Sequence, residues 1–313
     1  MDRSIRWELP GHGEPCDLPD DLRYRAHVVR EGGRALYHIQ AYRPACLRAS
    51  CPRHYMRGWA AREATRAYVR LRAYQRTLSR TRELIHVVVS PLATTPRTVE
   101  EYRALRKRCY RAAEEAGLSG GVWLFHPVRI PSRWNERELC QDGPHWHVIG
   151  CGWITGGTTE NVIVRNLGIR DSPRATLLYV LSHLGLAFGP TLGQRSIDRS
   201  SVSENRLTMG KIPRPRPVQS ITWTGGASYS RLNLGEEDEA LGEYGVHCRR
   251  CDTVVPLEEW LRVSPEFGQK PPPSLEIGEI VVTDGRGWMV DPSIYAWNRD
   301  APTVVELRAW EFP

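Results

Sequence analysis

The stretch GPHWHVIGCGW, residues 143–153, carries two histidines two positions apart, within an apolar run that ends in glycines. Its composition predicts a buried strand, in which alternate side chains point to opposite faces. His145 and His147 therefore share one face, while Trp146 and Val148 share the other. Neutral imidazole is the commonest metal-binding side chain, so a metal site explains this pair at least as well as two hydrogen-bonded core histidines do.

A metal at this pair needs a third ligand. His126 lies in LFHPV, on the preceding predicted strand, and antiparallel pairing of the two strands would place it beside the pair. We expect His126 to be the third ligand. The carboxylates of Asp142, Glu136 and Glu138 are the alternatives.

The segments around this strand predict the fold class. Apolar runs predict strands at 84–92 and 120–130, and capping signals predict helices at 98–117 and 171–189. This order is typical of an α+β fold, in which helices pack on a central antiparallel sheet. A long helix rich in arginine is predicted at 53–81.

Composition shifts divide the chain into three predicted parts. Residues 1–83 hold a zinc-stabilised N-terminal segment and the arginine-rich helix, residues 84–212 hold the sheet core, and residues 213–313 form a small β-rich C-terminal region with a CxxC motif.

The chain has no run of about 20 apolar residues and no signal-peptide core, so we expect a cytoplasmic protein without membrane contact.

The formal net charge of +7 comes almost entirely from arginine, since only three of the 43 basic residues are lysines. Arginine binds phosphate with two parallel hydrogen bonds and stacks on bases, which favours a nucleic-acid partner. A genomic bias against lysine would give the same composition. The arginine-rich helix is either a phosphate-contacting face or a solvated one. Its candidate contacts, together with one after the 120–130 strand, are Arg62, Arg66, Arg70 and Arg129.

Eight cysteines in a chain without a signal peptide indicate metal sites or buried thiols rather than disulfides. Cys46, Cys51 and His54 lie close together, and Cys16 is the candidate fourth ligand of a tetrahedral structural zinc site. Buried free thiols are the alternative. Cys248 and Cys251 form half of a possible second zinc site. Its partner would be His247 or a distant residue.

The predicted helix at 171–189 contains Tyr179 and His183, which share one helix face. A hydrogen-bonded core tyrosine is the ordinary interpretation of such a residue. A predicted metal site about thirty residues upstream favours a catalytic tyrosine. His183 would then activate Tyr179, orient it, or only pack against it.

Three segments in this order resemble the motifs of HUH endonucleases, which include rolling-circle replication initiators and related transposases. They are HVVVSPL (86–92), PHWHVIG (144–150) and YVLSH (179–183). The chain further resembles the single-tyrosine Rep initiators of archaeal plasmids and viruses over roughly residues 16 to 260. That closer resemblance rests on SCPRHYMRGWAAREA (50–64), GGVWLFHPVRI (120–130) and TWTGGASYSRL (222–232).

The resemblance implies an HUH/RRM-like palm and a nickase that acts on single-stranded origin DNA. Mn²⁺ or Mg²⁺, held by the histidines, would polarise the scissile phosphate, and Tyr179 would form a 5′-phosphotyrosine, leave a free 3′-OH and allow strand rejoining. Two imidazoles favour Mn²⁺. Many such initiators carry Lys three residues after the tyrosine or a second Tyr four after it, whereas this chain has Ser182 and His183.

Two other functions fit the same residues. A single-tyrosine transposase uses the same chemistry, and a non-catalytic zinc-dependent DNA-binding regulator would use the histidines and Tyr179 only structurally. The chain has no G-x-x-x-x-G-K-[ST] loop for an ATPase, so a replication initiator of this type would require a host helicase and a host polymerase as partners.

Overall fold

Two units, each with its own sheet, organise the chain. The computed structural model describes residues 4–79, 82–129, 141–154, 157–159, 161–188, 218–265, 270–276, 280–283, 286–290 and 304–311. Unit 1 contains Met1–Asp17 and Cys46–Gly242, and unit 2 contains Leu18–Ala45 and Glu243–Pro313.

The secondary structure is α+β. The strands are β1 (Arg6–Glu8), β2 (Arg23–Glu31), β3 (Arg34–Tyr42), β4 (Ile85–Pro91), β5 (Leu118–Arg129), β6 (Gln141–Gly152), β7 (Gly157–Thr159), β8 (Val162–Ile169), β9 (Leu186–Phe188), β10 (Ile221–Gly225), β11 (Val246–Cys248), β12 (Thr253–Val255), β13 (Leu261–Pro265), β14 (Ser274–Glu276), β15 (Ile280–Thr283), β16 (Arg286–Val290) and β17 (Val304–Glu311). The α-helices are α1 (Ala61–Thr77), α2 (Val99–Glu115), α3 (Pro173–Leu181) and α4 (Glu236–Tyr244). A π-helical turn, Met56–Ala60, precedes α1, and a 3₁₀ turn covers Leu257–Glu259.

Unit 1 is built on a six-stranded antiparallel sheet with the order β10-β5-β6-β4-β8-β7, and a short antiparallel pair, β1-β9, accompanies it. The strand of the two histidines, β6, lies inside this sheet between β5 and β4. The predicted central antiparallel sheet is therefore confirmed for this unit.

The helices of unit 1 cover the two faces of that sheet. On one face, α2 packs over Trp123, Phe125 and Trp146. On the other, α1 and α3 pack over Leu124 and Ile149, which alternate with those residues. Burying one such large apolar side chain contributes roughly 1.5–3 kcal/mol, so the alternating pattern fixes which side chains of β5 and β6 face each helix layer.

Local signals explain where the helices begin and end. Thr98 caps α2 in a capping box with Glu101, and Gly117, at φ +104°, ends it in a backbone conformation that glycine adopts freely. The Ser172 side chain accepts a hydrogen bond from the Ala175 N–H at the start of α3, and Pro173 occupies its first turn. The helix predicted at 98–117 is confirmed. The helix predicted at 171–189 is confirmed only as far as Leu181, so His183 lies beyond its end, and Leu186–Phe188 forms strand β9 instead.

Unit 2 contains a seven-stranded sheet with the order β14-β3-β2-β13-β17-β16-β15, in which only β13 and β17 are parallel, and a separate β11-β12 pair. The β2-β3 hairpin comes from the N-terminal part of the chain. This differs from the predicted division at 83 and 212, because residues 18–45 join the C-terminal strands instead of the arginine-rich helix. Alternate apolar side chains of the hairpin lie on one face, where they form a cluster with Val263 of β13 and Leu275 of β14.

Candidate active site

Two neighbouring strands carry the predicted metal ligands. The Cα partner of His126 on β5 is His145 on β6, and that of Leu124 is His147. Since paired residues of an antiparallel sheet point to the same side, all three histidines lie on the face covered by α1 and α3. The antiparallel pairing predicted between these strands is confirmed.

Ligand atoms of His126, His147 and His183 lie within 4.8 Å of one another, and we call these three residues the histidine cluster. His126 is fully buried, and neither of its ring nitrogens makes a hydrogen bond among the described residues. An unsatisfied buried imidazole costs free energy that a metal ion would recover. The donor set therefore fits a divalent cation.

His145 lies beside the histidine cluster but is not one of its three members. Its ring centroid is 5.1 Å from those of His126 and His147, and its Nδ1 lies 2.9 Å from the carbonyl oxygen of Gly143. The contact of Nδ1 with a carbonyl oxygen leaves Nε2 of His145 available for a metal. The set of His145, His147 and His126 stays a prediction, and the structure adds His183 as a further candidate ligand.

The alternative carboxylates have other positions. Asp142 accepts hydrogen bonds from the backbone N–H and the hydroxyl of Thr95, and it is not in the histidine cluster. Glu136 and Glu138 lie outside the described residues.

His86 on β4 is a site residue that sequence reasoning missed. Its Nε2 lies 2.7 Å from Nδ1 of His147, and the Cα partner of His86 is Ile149, on the same face as His147. For His147 to bind a cation through Nε2, its Nδ1–H must donate to His86, a contact that fixes tautomer and ring orientation. The alternation of HVVVSPL could have placed His86 on that face.

Burial keeps these imidazoles neutral. Burial, and then the neighbouring imidazoles, lower the pKa values of His126 and His147 well below the ordinary value. Burial lowers the pKa of His145 and of His86 to about 4. Because only neutral imidazole binds a metal, these groups are ready to act as ligands at neutral pH.

Tyr179 lies at the exposed edge of the histidine cluster. Its side chain is 60% exposed, and its ring centroid is 5.1 Å from that of His183. The Ser182 hydroxyl donates to the Tyr179 carbonyl oxygen at 2.6 Å and lies 3.1 Å from Nδ1 of His183. The contact of Ser182 with Nδ1 leaves Nε2 of His183 available for a metal. His183, which the sequence placed next to Tyr179, is therefore also a candidate metal ligand.

Of the four candidate DNA-binding arginines, Arg129 lies on β5 and the other three lie on α1. Arg129 is exposed at the end of β5, its guanidinium is 3.3 Å from the Ser90 hydroxyl, and its charge contributes to lowering the pKa values of His145 and His147. It therefore lies next to the site.

The others are on α1. Arg70 is buried, donates to the carbonyl oxygens of Ala227 and Leu232 at 2.9 and 2.7 Å, and stacks on the ring of Tyr229 at 4.1 Å. This argues against the prediction that it contacts DNA. Arg62 and Arg66 are half-buried on either side of Glu63, at 3.6 and 3.5 Å from its carboxylate.

The ligand atoms of Cys16, Cys46, Cys51 and His54 also lie within 4.8 Å of one another, and we call this group the cysteine cluster. It could hold a metal ion such as zinc, as the spacing predicted. Burial acts to raise the pKa of the Cys51 thiol, but backbone N–H groups outweigh it and lower that pKa to about 7, which favours the metal-binding thiolate.

The chain was compared with protein-family models, curated proteins and solved structures, and none of the three comparisons found a match. Among the described helices, none has both the length and the apolar character needed to cross a membrane.

Proposed function

We propose that the chain is an HUH-type, metal-dependent nickase of single-stranded DNA that initiates rolling-circle replication. The observation that carries the proposal is the placement of an exposed tyrosine beside a cluster of three histidines, of which His126 is buried and His147 and His183 are partly buried. A phosphodiester could contact both at once there. The resemblance to Rep initiators and the excess of arginine support DNA as the substrate.

The histidine cluster would hold Mn²⁺ or Mg²⁺, and all-nitrogen ligation favours Mn²⁺. Bound there, the cation would polarise the scissile phosphate and offset the charge that develops on it. His86 would hold the ring of His147, and Arg129 would bind a phosphate next to the site.

Tyr179 would attack phosphorus through its phenolic oxygen, and the bond from phosphorus to the 3′ oxygen would break. The phenolic proton leaves to water, to which Tyr179 is open, and the departing 3′ oxygen takes up a proton. The products are a 5′-phosphotyrosine and a free 3′-OH. Attack of a 3′-OH on the phosphotyrosine reverses the step and rejoins strands, while extension of the 3′-OH requires a polymerase and a helicase from the host.

Single-stranded DNA tiles of the encoding replicon, incubated with Mn²⁺ and run on a denaturing protein gel, test the proposal. We expect a shifted band that is absent from Tyr179→Phe and His147→Ala. Tyr244→Phe is the matched control, since Tyr244 is also exposed but lies outside the site. Binding of DNA without an adduct on any tile would favour the zinc-dependent regulator instead.

A further inference from the structure

Unit 2 contains a third group of potential metal ligands, drawn from two distant parts of the chain. Ligand atoms of His27, His38, Cys248 and Cys251 lie within 4.8 Å of one another. His27 and His38 are Cα partners in the β2-β3 hairpin, and so point to one side of it. Cys248 ends β11, and Cys251 lies in the turn that leads to β12.

The distances within this group suit a tetrahedral zinc site. Cys248 Sγ lies 3.8 Å from His38 Nδ1, and Cys251 Sγ lies 3.8 Å from His27 Nε2. Zinc binds sulfur at about 2.3 Å and imidazole nitrogen at about 2.0–2.1 Å, so sulfur and nitrogen of a tetrahedral site are about 3.5 Å apart. Both of these sulfur–nitrogen distances are within a few tenths of an ångström of that value.

Surrounding groups orient the ligands. His38 Nε2 lies 3.1 Å from the Glu31 carboxylate, which would leave Nδ1 for the metal and hold the ring in place. After the second cysteine, Asp252 adopts φ +52°, the left-handed conformation that lets the chain turn back.

The hairpin also holds the backbone of the cysteine turn. The Gln40 side chain donates to the His247 carbonyl oxygen and accepts from the Arg249 N–H, both at 3.2 Å. The Nε2 of His247 lies 2.7 Å from the Asp252 carboxylate, and His247 is not among the four residues whose ligand atoms are grouped. Of the two alternatives that the sequence left open, the structure therefore favours distant partners for the CxxC.

We propose that His27, His38, Cys248 and Cys251 form a closed Cys₂His₂ structural zinc site that joins the β2-β3 hairpin to the C-terminal segment. The inference is independent of the proposed nickase function. The site links residues 210 and 224 positions apart, so it holds together a unit assembled from two separate stretches of chain. Four protein ligands leave no position for a substrate, which makes the site structural.

Co²⁺ substitution of the full-length protein tests the site, because thiolate-to-cobalt charge-transfer absorption does not arise from the all-imidazole histidine cluster. We expect Cys251→Ser and His38→Ala each to lose one thiolate-bound metal equivalent relative to wild type. His247→Ala, the matched control, retains it. Glu31→Gln should weaken metal affinity by about 10- to 100-fold. Full metal content in His38→Ala, or a loss in His247→Ala, would overturn the proposal.

A second measurement needs no variant and remains informative if the substitutions prevent folding. Native, zinc-loaded protein is treated with a thiol-alkylating reagent, with and without a chelator, and the modified cysteines are identified by mass spectrometry. Cys248 and Cys251 should resist modification until chelator is added, whereas buried Cys109, outside every cluster, should show no chelator dependence. Rapid alkylation of Cys248 and Cys251 in the zinc-loaded protein would contradict the inference.

Discussion

The histidine cluster and the cysteine cluster of unit 1 differ in both number and type of donor. The first offers three nitrogens beside the exposed Tyr179, and the second offers three sulfurs and a nitrogen, the number of donors that a tetrahedral zinc site uses. Catalytic metal sites keep a position open for substrate, whereas structural zinc sites use all four. Ligand count and the neighbouring tyrosine are therefore the reasons why we propose catalysis at the histidine cluster and a structural role for the cysteine cluster.

The largest expected contrast comes from removing one ligand of each cluster. We expect His147→Ala to lower the rate of adduct formation by at least about 10³-fold with the melting temperature little changed, because the cation stabilises the transition state by several kcal/mol. Cys51→Ser should lower the melting temperature and leave the folded fraction able to nick. Adduct yields and thermal unfolding curves measure both.

The assignment of catalysis to the histidine cluster and of a structural role to the cysteine cluster is contradicted if His147→Ala and Cys51→Ser have the same effects. Loss of nicking in a well-folded Cys51→Ser would tie the cysteine cluster to catalysis. A collapse of the melting temperature in His147→Ala would make the histidine cluster structural.

The membership of the histidine cluster gives the next largest effect. His183→Ala should raise the Mn²⁺ concentration needed for half-maximal adduct formation by about 100-fold, and His145→Ala by less than about 10-fold, because His145 is outside the cluster. Titration of Mn²⁺ with both variants measures this. The reverse order would restore the pair predicted from the sequence as the ligands.

His86→Gln tests whether the metal affinity of the histidine cluster depends on His86, which contacts His147 but would not bind the cation itself. Loss of its contact with His147 should weaken apparent Mn²⁺ affinity by about 10-fold, with maximal nicking at saturating Mn²⁺ nearly unchanged. A reduced maximum at saturating metal, with unchanged affinity, would instead place His86 in the reaction itself.

Short-range patterns predicted the parts of this molecule that depend on neighbours in sequence. Alternation placed His126, His145 and His147 on one face, and the spacing of Cys46, Cys51 and His54 indicated their cluster. His183 could not be named as a candidate ligand from the sequence, because its position depends on how the end of α3 packs on β5.

The proposed zinc site of unit 2 depends even more strongly on contacts between residues that are distant in sequence. The CxxC was visible at Cys248 and Cys251, but His27 and His38 are more than two hundred residues away in sequence. Only the pairing of the β2-β3 hairpin with strands of the C-terminal segment brings these parts into one unit, and no local propensity encodes that pairing.

The smallest expected effects on DNA binding come from substituting Arg129, next to the histidine cluster, and the buried Arg70 of α1. Arg129→Ala should weaken single-stranded DNA binding by up to about 10-fold and reduce the salt dependence of binding by about one phosphate contact. Arg70→Ala should lower the free energy of unfolding by about 2–3 kcal/mol, because it leaves buried carbonyl oxygens without a donor, and DNA binding by the folded protein should be unchanged. Binding isotherms at several salt concentrations and denaturant unfolding separate the two. A loss of DNA affinity in folded Arg70→Ala would instead support DNA binding by the surface of α1. The buried Arg70 guanidinium could affect DNA only by holding that surface in place.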